Sequence, residues 1–592
     1  MMTIKYAIIA SLFALYSALS VAAETVSDKS LYYGGIIYSA DRKLLHPEAV
    51  GVENGKIVAV GDYAYVEKKL GKDAKKINLN GHYMMPGLID THVHAAFAGF
   101  QEMTVHFPDN LETAAQLKEF LASATQNPRL YLGDIQYFSN VSLSYWSKIP
   151  LLKQVFNGGE YQNIPVVLAG YDAHTGWFND AMRRKSGLEK HSLTELAPGV
   201  AANFGTDNAG NLTGFASEGA WDYILNAMPP VSDEKIAASI ILAARKLNSF
   251  GITAWMDPIS NVRPVAPIFS ASPDRHDEGL LPAYTSLSKK GELTGHVSAL
   301  ALVGITASPD IIDDVEVVKK KFSTAPDVKV VGIKILQDGV VEYPSQSAKL
   351  SQSYQNRPGY SGDQSLRIQQ FNELIRRADA RHLTAHFHVI GDRAASEALG
   401  AVAYARSKNG SGMLHSLTHL QIVSPESLAQ FKPLNVAASM QFLWSGKETA
   451  TTTLLEGLVP SSLLQRLYPA GSLIRHGVIV AGASDWPVST PNPFEAMYTG
   501  ITRKGSLGVL PPDDERISRQ DAIDAYTINA AKVVVQPDKV GSITVGKSAD
   551  FAVLDRNIEQ VSDDSLKETR VLWTVFKGQC VYDSADYCSL PL

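Results

Sequence analysis

Two histidines separated by a single residue are the first feature of this 592-residue chain that could do chemistry. His92 and His94 follow an apolar run in the stretch 87–94, which reads GLIDTHVH. In an extended strand, residues i and i+2 point to the same face, so the two imidazoles can aim at one point in space. Imidazole is a common ligand of zinc, but two ligands do not hold a catalytic metal. Residues elsewhere in the chain therefore decide whether this pair binds a metal.

Eight short apolar runs, separated by helical and loop segments, are typical of a β/α fold. Several of the runs are nearly continuously apolar, as strands buried on both faces are. Eight such strands favour a (β/α)8 barrel, in which chemistry takes place at the carboxyl ends of the strands. The predicted strands are 83–94, 251–258, 297–305, 328–339, 383–392, 415–423, 435–444 and 477–486.

Five of the predicted strands carry a histidine, a lysine or a carboxylate near the carboxyl end. A barrel brings these ends to one mouth, so residues far apart in sequence become neighbours. Histidine and carboxylate suit a divalent ion such as zinc, with one position left open for water. The sequence therefore predicts a metal centre. The candidate residues are His92, His94, Lys334, His386, His388, His419 and Asp485.

Stretches rich in short strands and turns flank the barrel region on both sides. Residues 24–85 and 536–592 have this character, and the turn at Asn54-Gly55 is a strong signal for a two-residue hairpin. We expect the two flanks to form one small β-domain built from both termini. The barrel domain then spans 86–535, with an insertion at about 98–250 that we expect to shape the substrate pocket.

The first 23 residues have the layout of a secretory signal peptide. Lys5 is their only charge, an apolar stretch follows from Ala7, and small residues precede Glu24. The alternative is a membrane anchor, but the apolar run is short for a span of about 20 residues. We therefore expect cleavage and an exported chain, periplasmic or secreted, without stable membrane insertion.

The overall composition, 45% hydrophobic and 19% charged, is that of a globular protein. A net charge of −6 and the lack of a Lys/Arg-rich run argue against nucleic acid as a partner, and a small molecule is the expected one. The only cysteines are Cys580 and Cys588. Their spacing permits a disulfide in an exported protein but does not require one.

Several motifs, in this order along the chain, resemble those of the amidohydrolase superfamily. Within it the chain resembles the amidohydrolase-3 or YtcJ-like family and is similar to N-substituted formamide deformylases. The resemblance implies a metal-dependent hydrolase of a non-peptide carbon–nitrogen bond, built as a distorted (β/α)8 TIM barrel with a composite β-sandwich. The motifs are PGLIDTHVH (86–94), YDAHTGWFNDAM (171–182), VGIKILQDGVVE (331–342), HVIGDRA (388–394), THLQ (418–421), ASDWPVSTPNP (483–493), TINAAK (527–532) and VGSITVGKSADFAVLD (540–555).

The resemblance also implies roles for individual residues. Asp485 would accept a proton from the attacking water and return it to the leaving nitrogen, and His386 would orient a ligand. His174 and Glu342 would contact the substrate. Weaker pocket candidates, for which packing is the more ordinary role, are Trp177, Asn179, Gln441 and Trp486. The implied metal ligands are His92, His94, Lys334, His388, His419 and Asp485.

Lys334 needs a separate argument, because a protonated lysine beside a dication is electrostatically unfavourable. In relatives of the superfamily the matching lysine is often carboxylated and bridges two metals, and burial would lower the pKa of the amine. We favour this reading for Lys334. The alternative is a lysine that bonds Asp338 or Glu342 beside a single metal, so the number of ions, one or two, stays open.

Two other functions fit the same barrel. One is a deaminase or cyclic-amide hydrolase of the same superfamily, with shared chemistry at the metal. The other is a non-catalytic periplasmic binding protein, against which the complete ligand set argues.

Overall fold

The computed structural model describes residues 29–188, 193–269, 278–343, 345–362, 367–410, 412–449 and 451–588. The predicted signal peptide, residues 1–23, lies outside this part of the chain. Among the described residues, no helix combines the length and the apolar character needed to cross a membrane.

Eight parallel strands form the central sheet and follow one another around it in chain order. They are β1 (Leu88–Asp90), β2 (Ile252–Asp257), β3 (His296–Val303), β4 (Val328–Leu336), β5 (Thr384–Val389), β6 (His415–His419), β7 (Val436–Met440) and β8 (Val480–Gly482). Each overlaps one of the eight predicted runs, so the predicted barrel is confirmed. Backbone hydrogen bonds join its first and last strands: Thr91 donates to the carbonyl of Gly482 at 3.1 Å, and Asp485 donates to that of His92 at 2.8 Å.

Helices separate the barrel strands along the chain, and the longer ones bury one face. In helix Ile368–Ala380, for example, the buried apolar residues recur at helical spacing as Phe371, Leu374, Ile375 and Ala378. The helices of this region are Asp233–Ser249, Leu281–Lys290, Ile311–Lys321, Ile368–Ala380, Asp392–Asn409, Pro425–Leu428, Ser461–Leu464, Ala470–Arg475, Pro493–Thr502, Arg519–Ala525 and Ile528–Val533. A small hairpin, Lys504–Gly505 with Gly508–Val509, follows one of them.

Of two further sheets, the four-stranded one comes from the N-terminal part of the chain and the five-stranded one combines strands from both ends. Tyr32 of the first packs against Phe551 of the second with ring centroids 5.2 Å apart. The predicted hairpin is present, since Asn54 and Gly55 have φ of 51° and 72° between paired strands. The four-stranded sheet comprises Lys56–Gly61, Ala49–Glu53, Lys29–Tyr33 and Lys75–Asn78, with helix Tyr63–Leu70 nearby. The five-stranded sheet comprises Ile36–Ile37, Tyr83–Pro86, Phe551–Leu554, Val571–Phe576 and Gln579–Asp583, and helix Asp563–Leu566 connects two of its strands.

A disulfide joins Cys580 to Cys588, whose Cα atoms lie 6.3 Å apart. Cys580 belongs to the last strand of the five-stranded sheet. The bond therefore ties the chain that follows this strand back to the sheet, as the spacing of the two cysteines permits.

The segment between β1 and β2 forms a sheet of its own with a separate apolar core. Its strands are Val105–His106, Tyr131–Leu132, Ile135–Val141, Val166–Gly170, Thr175–Phe178, Phe204–Thr206 and Leu212–Ser217. Its helices are Ala95–Glu102, Ala114–Ala124, Ile149–Phe156, Asp180–Lys185, Pro198–Ala201 and Glu218–Leu225. The exact limits of this insertion, of the barrel and of the two sandwich parts stay predictions.

The structure divides the predicted first strand, 83–94, into two. Tyr83–Pro86 belongs to the five-stranded sheet and β1 to the barrel, with Gly87 between them. A Cβ atom on Gly87 would lie 2.1 Å from Oγ1 of Thr253 in β2, so only glycine lets the chain pass this close. Buried strands of the two sheets have the same apolar character, so the sequence pattern did not reveal the division.

Candidate active site

All six predicted metal ligands line one cavity at the mouth of the barrel. The cavity encloses about 1180 Å³, part of it open to solvent. Its ligand-bearing end holds His92, His94, Lys334, His388, His419 and Asp485. The remaining walls come largely from the insertion and from the loop after β2.

Asp485 lies at the centre of this group. Its Oδ1 is 3.2 Å from Nε2 of His92 and 3.2 Å from Nε2 of His94. Its Oδ2 is 3.8 Å from Nδ1 of His419. Asp485 and His419 both have positive φ, 56° and 73°, in a region that costs energy for residues with a side chain. The chain thus holds strained backbone at two of its candidate ligands.

His92 and His94 converge, but not by the strand alternation expected from the sequence. β1 ends at Asp90, and His94 precedes the helix Ala95–Glu102 in a non-extended conformation, with φ −87° and ψ 61°. The two rings lie 5.2 Å apart and nearly perpendicular, at 84°. A bend after the strand therefore brings both Nε2 atoms to Asp485. The expectation that both residues lie in the strand was wrong, because β1 ends at Asp90 and the chain bends there, although Val93 still donates to the carbonyl of Met256 in β2 at 3.1 Å.

Three of the histidines have one ring nitrogen occupied by a neighbouring side chain. Such partners fix the ring orientation of metal-bound histidines. Nδ1 of His92 is 2.6 Å from Nε2 of His386. The other ring nitrogen of His386, Nδ1, is 2.6 Å from Oγ of Ser416. The other two pairs are His388 Nδ1 with Asp338 Oδ1 at 3.3 Å and His419 Nδ1 with Gln441 Oε1 at 3.1 Å. These bonds leave the opposite nitrogen of each ring for the cavity.

Lys334 is 1% exposed, and its Nζ has no hydrogen-bond partner among the described residues. Asp338, one partner considered for it, instead accepts from the backbone N–H groups of Ile390 and Gly391 at 3.0 and 2.8 Å as well as from His388. The alternative pairing of Lys334 with Asp338 is therefore wrong. Burial lowers the pKa of Lys334 to about 7, and the Asp485 charge opposes that shift.

Burial sets the charge states of the other candidates. It lowers the pKa of His92, His386 and His419 well below the usual histidine value, which leaves these imidazoles neutral and able to bind a metal. For Asp485 burial acts in the opposite direction, but a hydrogen bond from His94 and the charges around it outweigh burial and lower the pKa. Asp485 is therefore a carboxylate.

A second buried carboxylate, Asp90, was missed by the sequence reasoning although it lies within the quoted motif. Its Oδ1 accepts from the backbone N–H groups of His92 and Ser484, each at 3.1 Å. Its Oδ2 has no partner among the described residues, and burial raises its pKa to about 7. Asp90 thereby links the two segments that carry His92 and Asp485.

His174, from the insertion, lines the cavity with its ring 5.8 Å from that of His388 and forms an ion pair with Glu218, Nδ1 to Oε1 at 3.1 Å. Burial alone would lower the pKa of His174, but Glu218 outweighs it and raises that pKa to about 9. Glu218 also accepts from Ser347 Oγ at 2.8 Å. It starts the helix Glu218–Leu225 with a φ of 48°, and nothing in its sequence context predicted this role.

The remaining pocket candidates differ in where the structure places them. Glu342 is not among the residues that line the cavity, so the structure gives no contact for its predicted substrate role. Trp177 donates to the carbonyl of Thr213 inside the core of the insertion, and Asn179 caps helix Asp180–Lys185, so both are packing residues. Trp486 is 6% exposed, and its carbonyl accepts from the backbone of His94 at 3.0 Å.

The donor set fits a divalent metal. It offers neutral imidazoles, a carboxylate and a lysine amine, and carboxylate and imidazole suit zinc-like ions. Among the described residues, Lys334 Nζ is buried without a hydrogen-bond partner, and Asp485 Oδ1 faces Nε2 of both His92 and His94 at 3.2 Å, as groups that surround an ion would.

Comparison with known proteins shows the family of the chain. The amidohydrolase family model matches residues 75–582. The chain is 25% identical to the YtcJ protein of Bacillus subtilis (strain 168) over 94% of this chain and 100% of that protein. It is 23% identical to the N-substituted formamide deformylase of Arthrobacter pascens over 90% and 95% of the two chains. The crystal structure of an uncharacterized metal-dependent hydrolase from Pyrococcus horikoshii OT3 superposes on this chain with a TM-score of 0.69 at 19% identity. The superposition covers 90% of this chain and 99% of the other, so the two proteins share the fold. The chain belongs to the amidohydrolase family and is a hydrolase that acts on carbon–nitrogen bonds.

Proposed function

We propose that Asp485 carries the proton in hydrolysis of a non-peptide amide at this site. The observation that carries the proposal is the equal 3.2 Å separation of its Oδ1 from His92 and His94. When bound, a divalent ion lowers the pKa of water and polarises the substrate carbonyl. The Asp485 carboxylate is placed to take one proton from the attacking water and to deliver it to the leaving nitrogen.

The proposed ion is zinc, held by His92, His94, His388, His419 and Asp485. Neutral imidazoles support this choice, because burial keeps three of the rings deprotonated, and because His386, Asp338 and Gln441 hold ligand rings in place. His386 is thus proposed as a positioning residue for His92.

Lys334 is the proposed site of carboxylation, beside one or two ions. Its buried amine lacks a partner among the described residues, and its lowered pKa leaves a large neutral fraction near pH 7. The neutral nitrogen would attack the carbon of CO2 and lose one proton, which yields a carbamate anion. A carbamate would give the site a further anionic ligand in place of a cation. Mass spectrometry of the intact chain under native conditions, with 13C-labelled CO2, tests this: a gain of one CO2 that is absent from Lys334→Arg supports it.

His174 is proposed to bind the substrate, with Glu218 positioning it. Because Nδ1 of His174 is occupied by Glu218, its Nε2 is the nitrogen left for a ligand in the cavity. The pair provides a hydrogen-bond donor for an acceptor atom of the substrate, and it is close to charge-neutral as a unit.

Metal analysis and an amide screen on the purified mature chain test the function. Expected are at least one equivalent of zinc per chain, hydrolysis of one or more amides, loss of hydrolysis with a chelator, and recovery on adding zinc. A chain that binds no divalent metal, or that hydrolyses amides at full rate after complete metal removal, would contradict the proposal.

Export is proposed from the N-terminal segment and the disulfide. The first 23 residues have the composition of a signal peptide, and the Cys580–Cys588 bond is of a kind that persists in oxidising compartments. Cell fractionation with N-terminal sequencing tests it: a mature chain that starts near Glu24 in an exported fraction is expected, and an uncleaved chain in the cytoplasm would contradict it.

A further inference from the structure

We propose that this active site selects neutral amides that carry a bulky apolar group, best an aromatic ring, attached to the scissile bond. The inference rests on the proposed amide hydrolysis and names its substrate class. The feature that carries it is the apolar arm, the part of the cavity lined by Phe97, Phe100, Tyr137, Trp221, Leu225 and Phe269.

The apolar arm begins at the metal-ligand cluster itself. The ring of Phe97 lies 6.1 Å from that of His94, and the ring of Phe269 lies 4.8 Å from that of His174. Phe100 and Tyr137, which also line the cavity, pack with ring centroids 6.4 Å apart. A substrate whose carbonyl sits at the ligands therefore places its substituent directly among aromatic rings.

The charges on the cavity wall disfavour an anionic substrate. Among the described lining residues, Lys334 is the only lysine and no arginine is present, and Lys334 lies at the ligand end. Asp172 also lines the cavity, its carboxylate bonded to the backbone N–H groups of His174 and Thr175 at 3.2 and 3.1 Å. The charge of His174, beside Phe269, is already balanced by Glu218, so a substrate carboxylate in the arm would lose its water without gaining an unpaired cation, which is costly. An N-acyl amino acid is thus a poor fit.

The walls of the arm are fixed by the protein itself. Trp221 packs on Gly176, where a Cβ atom would lie 2.2 Å from the indole, so the glycine makes room for the ring. The carboxylate of Asp222, the next residue, accepts from the backbone N–H groups of Ile268 and Phe269 at 2.8 and 2.5 Å. The loop after β2 is thereby fastened to the helix that carries Trp221. A preformed apolar pocket binds an apolar group without the cost of ordering its walls.

The reaction is ordinary amide hydrolysis. The water oxygen bonds to the carbonyl carbon, the carbon–nitrogen bond breaks with its electron pair going to nitrogen, and the two water hydrogens end on the amine and the acid. No further reactant is required.

Three matched pairs of substrates test the inference on the zinc-loaded chain. N-phenethylformamide against N-ethylformamide places a ring on the nitrogen side, and N-methyl-3-phenylpropanamide against N-methylpropanamide places it on the acyl side. N-formylglycinamide against N-formylglycine changes only the charge. We expect kcat/KM to rise about 100-fold with the ring in at least one of the first two pairs. We expect the neutral member of the third pair to be the better substrate.

Filling the arm gives a second test. Ala169 lines the cavity and pairs with Gly176 across the sheet, so its side chain leaves the same face on which Trp221 packs. Ala169→Phe is expected to lower the ratio of kcat/KM between the ringed and ringless amides about 30-fold. Ala122→Phe, at an exposed position on helix Ala114–Ala124 of the same insertion, is the matched control and should leave the ratio unchanged.

The outcomes separate this inference from the proposed function. If amides are hydrolysed but rings give no preference, or N-formylglycine is preferred, the inference is overturned while the proposed function stands. If no amide is hydrolysed, the proposed function fails. Calorimetry of the same chain with the ringed and ringless amides then shows whether the apolar arm binds an aromatic ring. The inference is supported if the ringed amide binds at least about tenfold more tightly than the ringless one and Ala169→Phe loses this difference. Equal affinity for the two amides overturns the inference.

Discussion

Asp485 and His92 are joined twice, by backbone and by side chain. The backbone N–H of Asp485 donates to the carbonyl of His92 at 2.8 Å, and Oδ1 of Asp485 lies 3.2 Å from Nε2 of His92. The first contact helps close the barrel between β8 and β1, and the second builds the centre of the candidate site. The closure of the fold and the assembly of the site therefore depend on the same two residues.

Replacing His386 is predicted to weaken metal binding without removing a ligand. Its Nε2 bonds His92 and its Nδ1 bonds Ser416, so His386→Ala frees the His92 ring to turn. Loss of such a partner costs about 10- to 100-fold in metal affinity. Competition with a chromogenic chelator measures this. His106→Ala, at an exposed position, is the control. Unchanged zinc affinity in His386→Ala would show that His386 only fills space.

Replacing Glu218 is predicted to act on substrate binding more than on chemistry. Glu218→Gln keeps the size of the side chain but removes the charge that pairs with His174. KM should rise about tenfold, and kcat should change much less, because Asp485 and the ligands are untouched. Steady-state kinetics on the best amide from the screen decide this. Glu218→Asp should recover part of the loss, and a fall in kcat with constant KM would contradict the assignment.

The pattern of apolar runs ended by histidine predicted the barrel and the ligand cluster, because barrel strands are buried on both faces and their ends meet. The same pattern could not show that the run at 83–94 divides at Gly87, since a strand of the sandwich and a strand of the barrel have equal apolar character. It could not place Glu218 beside His174 either. The two residues come from different elements of the insertion, and neither lies in a periodic pattern that points to the other.

A buried ion pair remote from the site gives a prediction for stability against pH. Asp379 is buried, accepts from Arg406 and Asn409, and lies 3.2 Å from Nε2 of His415. Burial would raise its pKa, but these partners outweigh burial and hold it well below the usual value. A carboxyl whose pKa is lower in the folded state stabilises the protein fully at pH values above its unfolded pKa of about 3.9. This stability is lost as the pH falls from that value through the lower pKa of the folded state.

Asp379→Asn should therefore cost about 3 to 5 kcal/mol in the free energy of unfolding at pH 7, and clearly less at pH 3. Urea unfolding at the two values measures the difference. The control is Asp313→Asn, because Asp313 pairs with Arg381 at an exposed position, where ion pairs contribute about 0 to 1 kcal/mol. An equal loss for Asp379→Asn at both pH values would contradict the ionised network.

The most direct measurement of the central claim is the activity and the zinc content of Asp485→Asn, made on the same preparation. The amide side chain keeps the shape of the site but cannot carry the proton from water to the leaving nitrogen. The account predicts a fall in kcat of about a thousandfold, with zinc still bound through the histidines. Full turnover by the zinc-loaded Asp485→Asn chain would contradict it.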